Sequence, residues 1–541
     1  MPQNSRQVRC VPLNDASGST ASLEPTEDVG CSRPLLVKVN RVPFTLGVIL
    51  CLNPGLEHSR LRRVRRSRMA GHDAIDQSLL LALPDDVLVA VLAYLPPREL
   101  FRCRLLCRRL RDLCLHRDLW RRVCLPAQER GVVRAALLLA PCVRHVHSDT
   151  LGLEALASLV AGTTCVVKEL TVSVGSAPDV ALATPLIEKL SSLGGLRKLW
   201  VSFADTPVAT ASPLLQVIYS VSDLRELNIW INSDASMPIA WCDVKQKPSL
   251  TLLSYTSPTM DPFLHLMLQT HAATLEKVYL NKVWKMPEPA SNAVPGQSDF
   301  PLTLLNAIPR LRALCCFPND GLSQLQAGDA LKELSFTGIH REGFPAGALE
   351  FIRKATQLQV VNIDLPYEDP SGPVQALAES CSAPRLEHLF LRSTHGSNAL
   401  DVLAAALPRF PALQTLGVAS TPPDSLLRAV SPAALPRLSM FRVCCFETCA
   451  HAWLHDPFVQ DVLVRNPQLH LRIEVSAAPV LEDCPCPWCR WGCHKELAQR
   501  PSSLWSFFSA HRKKADCPRD CFQVALPPCP SCERPSAQPV V

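Results

Sequence analysis

Eight cysteines crowd the end of the chain, at Cys484, Cys486, Cys489, Cys493, Cys517, Cys521, Cys529 and Cys532, with His494 and His511 among them. Two thiolates separated by two residues on a tight turn both reach one tetrahedral ion. Cys486/Cys489 and Cys529/Cys532 form two such pairs, the donor set of a structural Zn²⁺. A second set, Cys493, His494 or His511 with Cys517 and Cys521, has the same chemistry. The competing reading is a reduced, disordered tail, which Pro485, Pro487, Pro518, Pro527, Pro528 and Pro530 favour. Such a zinc would be structural, because four filled positions leave none open for a substrate. No cofactor is expected for function.

Other reactive constellations are sparse. The sequence contains no G-x-x-x-x-G-K-S/T, no G-x-G-x-x-G following a strand, no G-x-S-x-G and no H-E-x-x-H. A cysteine nucleophile stays open in principle, since its histidine partner can lie anywhere. Most of the 24 cysteines, however, occupy apolar positions of regular patterns, where cysteine behaves as a small hydrophobe. The chain is expected to be no enzyme.

The elements that position these residues are bounded by composition. A 541-residue chain has room for two to four domains, and 47% apolar content with a mean hydropathy of +0.10 implies folded ones. Fifty-five Lys and Arg against 49 Asp and Glu leave a net charge of +6, too mild to demand nucleic acid. Forty-eight prolines against 21 glycines, recurring between apolar segments, imply many short elements with stops between them. No convincing secretory signal is evident, so the cysteines are expected to be reduced and the protein cytoplasmic and/or nuclear. The early apolar run Val42 to Leu52 is too short to cross a bilayer, and no membrane anchor is expected.

Residues 1–78 lack a sustained period and are expected to be a disordered basic extension. Arg60, Arg62, Arg63, Arg65, Arg66 and Arg68 invite a nuclear-import or nucleic-acid reading beside that of a solvated arm. Met69-Ala70-Gly71-His72-Asp73 would alternatively serve as a start.

Helical spacing begins at Leu83-Pro84, where a proline suits the first turn and Asp85 and Asp86 suit the amino end of a helix. Val87, Leu88, Val91, Leu92 and Leu95 recur at three and four, Pro96-Pro97 stops them, and Leu100, Cys103, Cys107, Leu110 and Cys114 repeat the rhythm. Two or three short amphipathic helices are expected over 79–125. So small a unit closes no core of its own, so another protein would cover part of its apolar surface.

This segment resembles an F-box in Leu83-Pro84, the aliphatics after them, Tyr94-Leu95-Pro96, Leu100, Cys107-Arg108, Leu110 and Leu119-Trp120. Leu106-Cys107 stands where the family usually has valine before cysteine, and Arg109-Leu110 where Arg-Trp or Lys-Trp is common. The resemblance implies docking on the Skp adaptor of Skp/cullin/F-box ubiquitin ligases through Leu83, Pro84, Val87, Leu88, Val91, Leu92, Leu95, Pro96, Leu100, Cys107, Leu110 and Trp120.

A leucine-x-x-leucine-x-apolar pattern recurs with starts at 196, 224, 250, 275, 311, 331, 358, 386, 413 and 438, and in weaker form at 167. Each segment supplies one short strand with inward apolar residues, and stretches such as Leu214, Leu215 and Ile218 return the chain as helix. One unit cannot bury its leucines alone, so neighbours must stack. The pattern resembles leucine-rich-repeat proteins over 150–475. The implied class is α/β: an all-α F-box, then a leucine-rich-repeat solenoid with a concave parallel sheet and convex helices, then the Cys-rich tail at 476–541. Pro287 to Phe300 reads as an insertion. Asn232 alone stands clearly where the family's asparagine follows the strand, which puts the usual asparagine ladder in doubt.

In such a strand the residue between the last two anchors points away from the core, placing Trp200, Asn228, Tyr279, Asn362, Phe390 and Arg442 on the concave surface. Aromatic and arginine side chains there suit a protein target. The expected function is the substrate-recognition adaptor of a Skp/cullin/F-box ligase, with catalysis left to partners. The alternatives are a repeat scaffold without ligase recruitment and a nucleic-acid-associated protein, for which nothing beyond the arginine run and the tail speaks.

Overall fold

A short strand whose inward residues are leucines becomes stable only when the next strand lays its own leucines beside them, and this condition organises most of the chain. The computed structural model describes residues 82–125, 129–204, 208–232, 246–257, 261–281, 301–326, 330–338, 343–365, 369–392, 397–445, 453, 456–466, 469–476, 505–510 and 522–524. The basic extension, the insertion from Pro287 and all the tail cysteines lie outside these residues.

Among the described residues, four helices come first: α1 (Asp85–Leu92), α2 (Pro97–Cys103), α3 (Arg108–Leu113) and the single turn α4 (Arg117–Trp120). That is one more than periodicity predicts, because His116 Nδ1 accepts from the Asp118 amide and caps a turn too short to show a period. Helix α5 (Arg130–Leu139) leads into the sheet.

Thirteen strands then pair parallel, each with the next in chain order: β1 (Cys142–His147), β2 (Val166–Val174), β3 (Lys198–Phe203), β4 (Glu226–Ile231), β5 (Leu252–Thr256), β6 (Lys277–Asn281), β7 (Ala313–Cys316), β8 (Glu333–Thr337), β9 (Val360–Asp364), β10 (His388–Arg392), β11 (Thr415–Val418), β12 (Met440–Cys445) and β13 (His470–Ser476). Helices occupy many of the crossovers, as parallel pairing requires. Among them are α6 (Ala177–Ser192), α7 (Val208–Ser220) and α8 (Pro262–His271). Leu214, Leu215 and Ile218 lie buried on α7. The architecture is mixed α/β, with the helical segment at its amino end. Beyond β13, β14 (Trp505–Ala510) and β15 (Phe522–Val524) continue the sheet antiparallel.

The register is carried by one core row. Leu170, Leu199, Leu227, Leu253, Val278, Leu314, Leu334, Val361, Leu389, Leu416, Phe441 and Leu471 stand side by side, and all are buried. Each such side chain contributes about 1.5–3 kcal/mol on leaving water. A backbone ladder runs just before the strands: Arg225 N donates to Arg197 O at 2.8 Å, Thr251 N to Arg225 O at 2.8 Å, and Glu276 N to Thr251 O at 2.9 Å, continuing to His470 N on Ser439 O at 2.8 Å. These main-chain bonds meet much of the polar demand that buried crossovers create. Asn232, the one family-like asparagine, is half-buried, and its backbone amide donates to Phe203 O.

His271, at the end of α8, closes one crossover. Its Nδ1 accepts from the Ser249 amide at 3.1 Å and lies 3.5 Å from the Leu250 amide, and burial pushes the imidazole pKa down to about 4. An unfolded histidine titrates near 6.5, so between the two values the unfolded chain binds more protons and stability falls with falling pH. Stability from a neutral His271 is therefore complete above about pH 6.5 and declines toward pH 4, by about 2–3 kcal/mol for this group. We expect His271→Gln to melt lower at pH 7 but to lose less stability than the wild type between pH 7 and 4.5, as followed by calorimetry; equal losses would show that His271 does not titrate in this way.

Candidate functional site

Two surfaces are built by these elements, one on the helical segment and one on the sheet face away from the core.

In the helical segment, Leu88, Leu92, Leu100, Leu110 and Trp120 point into the protein's own core, each less than a tenth exposed. Trp120 is fully buried, its Nε1 donates to Cys114 O at 2.7 Å, and its ring lies 5.1 Å from that of Phe101. Leu83, Val91, Leu95 and Cys107 are half-buried, whereas Pro84, Val87 and Pro96 are exposed. The set expected to meet a partner thus divides into residues that hold the segment together and residues that face outward. Periodicity missed the most exposed apolar groups, Leu105 at 85%, Tyr94 at 77% and Leu106 at 44%. They sit in the turns after α2 and α1, where no helical rhythm flags them. Large apolar side chains left in water at this frequency mark an association surface.

Arg109, which keeps the basic residue of the F-box pattern beside the departing Leu110, ties the entry of α1 to α3. Its Nη2 donates to Leu83 O at 2.6 Å and to Asp85 Oδ1 at 2.5 Å, and its Nε donates to the same Asp85 oxygen at 2.9 Å. The ion pair is exposed and weak in water. The bond to Leu83 O nevertheless fixes the backbone of the Leu83-Pro84 step.

The helical segment is joined firmly to the sheet. Leu92, Leu100, Leu110, Leu119 and Trp120 belong to one continuous apolar core with Val143, Val146, Val167 and Leu170. Cys124 makes a parallel bridge to His145, and Arg144 N donates to Val123 O at 2.9 Å.

On the outer face of the sheet, the register aligns Thr171, Trp200, Asn228, Ser254, Tyr279, Cys315, Ser335, Asn362, Phe390, Gly417, Arg442 and Arg472 in one row. All six residues expected on that face share it, but their exposure differs. Trp200 and Asn228 are half-buried, while Tyr279, Asn362, Phe390 and Arg442 are buried, Arg442 to 2%. Gly417 makes room for Phe390: a Cβ there would sit 2.2 Å from Phe390 Cδ2, so the ring lies across the glycine with the Arg442 guanidinium 5.6 Å from its centroid. Tyr279 Oη and Asn362 Oδ1 are buried without a hydrogen-bond partner among the described residues, and burial raises the Tyr279 pKa. Trp230, one row along, is 47% exposed and was not singled out by the repeat pattern, which looks only between anchors.

Arg109→Ala is expected to release the first turn of α1. Amide exchange at Asp85 to Leu88 should rise several-fold while that around Trp120 stays put; Arg109→Lys, lacking the fork, should behave like alanine. Unchanged exchange would show that Arg109 holds nothing.

Residues 80–126 match the F-box-like family model. A search of curated proteins finds no match to the chain. The Leu-Pro entry, the stopped helices, the Cys-Arg step and the closing Leu119-Trp120 are thus parts of one recognised module, and the chain carries an F-box-like domain over residues 80–126.

Proposed function

We propose that the chain is the substrate-recognition adaptor of a Skp/cullin/F-box ubiquitin ligase, that its parallel sheet is a leucine-rich-repeat solenoid, and that the outer face of the sheet binds the client protein. The observation that carries this reading is the F-box-like match together with the outward apolar side chains of the same segment, Val87, Tyr94, Leu105 and Leu106. The unbroken chain-order pairing of β1 to β13 supports stacked repeats. The firm join to the sheet suits a receptor that must hold a client lysine near a charged conjugating enzyme, where the gain is effective concentration and the chemistry belongs to others.

The full chain is expected to co-purify with the Skp adaptor. Leu83→Ala with Pro84→Ala, and separately Leu105→Asp with Leu106→Asp, should abolish the association while thermal melting of the chain shifts little. Adaptor-free preparations of the wild type would favour the scaffold alternative.

The tail cysteines are proposed to hold a structural zinc. Cys486 and Cys489 precede the antiparallel pair β14–β15 in the sequence, and Cys529 and Cys532 follow it. Metal analysis of the purified full chain should find zinc that chelation removes and that Cys486→Ser with Cys529→Ser never binds; a zinc-free native protein overturns the site.

A further inference from the structure

The outer face of the sheet is electrically divided. Across β1 to β8 its charged side chains neutralise one another laterally: Arg144 with Glu169 at 3.1 Å, Lys198 with Glu226 at 2.7 Å and Lys277 with Glu333 at 3.3 Å. Among the described residues these three cations meet three anions, and Lys168 of β2 stays exposed outside the two rows that follow. The next row along β2 to β6 reads Thr171, Trp200, Asn228, Ser254 and Tyr279, and the one after it Ser173, Ser202, Trp230, Thr256 and Asn281. Neither contains a carboxylate, an ammonium or a guanidinium. The arginines come later, with Arg392 beside Asp364 at 3.6 Å and with Arg442, which is almost wholly buried.

Exposure divides the same way. Trp230 is the exposed large apolar side chain among the described residues of this face, and it stands two positions along and one strand over from half-buried Trp200. Hydroxyls and carboxamides surround both. The orphaned polar atom in the strip, Tyr279 Oη, is an uncharged phenol.

We propose that the β2 to β6 strip holds the client as an uncharged, extended polypeptide segment, an apolar or aromatic side chain of which packs on Trp230. The proposal rests on the receptor reading above and names its substrate class. An acidic or phosphorylated segment needs guanidinium or ammonium donors for charge-assisted hydrogen bonds. Here Lys198, Lys277 and Arg144 are already engaged, and drawing them away would strand Glu226, Glu333 and Glu169. Tryptophan supplies large contact area at little entropic cost, and serine, threonine and asparagine supply neutral hydrogen bonds to a peptide backbone.

The test is a random dodecamer phage library selected on the full chain in complex with the Skp adaptor, followed by binding of the enriched peptides in synthetic form. Uncharged sequences bearing Trp, Phe, Leu or Pro should be enriched, with affinity changing less than about twofold between roughly 50 and 500 mM salt. Trp230→Ala should weaken binding at least about tenfold, Trp230→Phe should restore most of it, and Arg392→Ala should leave it unchanged. Acidic consensus peptides, a phosphate requirement, loss on Arg392→Ala alone, or no enrichment above the Trp230→Ala variant would overturn the proposal. So would self-association of the chain that Trp230→Ala abolishes, which would make a second copy the occupant. Retained adaptor binding without Trp230-dependent peptides sinks this inference alone, whereas absence of adaptor binding sinks the reading beneath it.

Discussion

No strand of this protein can bury its inward residues by itself, and everything else follows from that dependence. Four to nine residues with two or three aliphatic anchors leave half of each anchor bare until the neighbouring strand arrives in the same register. The row from Leu170 to Leu471 satisfies the condition at eleven successive junctions. Because side chains alternate along a strand, fixing that row inward fixes the row from Thr171 to Arg472 outward. The face offered to a partner is thus a by-product of where the leucines must go. Its chemistry can vary freely, and it does, from Trp200 and Asn228 at one end to Phe390 and Arg442 at the other.

The helical segment meets the same constraint differently. Too short for a core, it lends Leu92, Leu100, Leu110 and Trp120 to the core of the sheet, and only then has Val87, Tyr94, Leu105 and Leu106 left over. An apolar group can face water durably only if its neighbours are secured elsewhere. Trp120, buried, hydrogen-bonded and ring-packed, is the clearest such anchor.

Much of this is readable from residue order. The leucine spacing marks β2 to β12, since a short parallel strand repeats its anchors whatever its loops do. The Leu-Pro entry and the Pro96-Pro97 stop mark α1 and α2. What escapes has physical reasons. β1 uses Cys142, Val143 and Val146, with His145 and His147 outward, so it lacks the leucines that make its neighbours conspicuous. β13 alternates with period two and falls outside the repeat pattern. The outward direction of Phe390 and Arg442 is local and legible, but their burial is not: it depends on Gly417, one strand away, having no side chain. Leu105 and Leu106 were passed over because a turn has no period to reveal them. Arg109 looked like an ordinary basic position of the pattern, and only geometry discloses its hold on Leu83.

The small bridge between Cys124 and His145 carries a last consequence. It covers the outer margin of β1, which would otherwise present bare amides and carbonyls able to recruit a stray chain. The amino-terminal module is therefore also the lid on the end of the stack. Cutting between the two would leave a sticky rim on the sheet and bare the module's Leu92, Leu100, Leu110, Leu119 and Trp120.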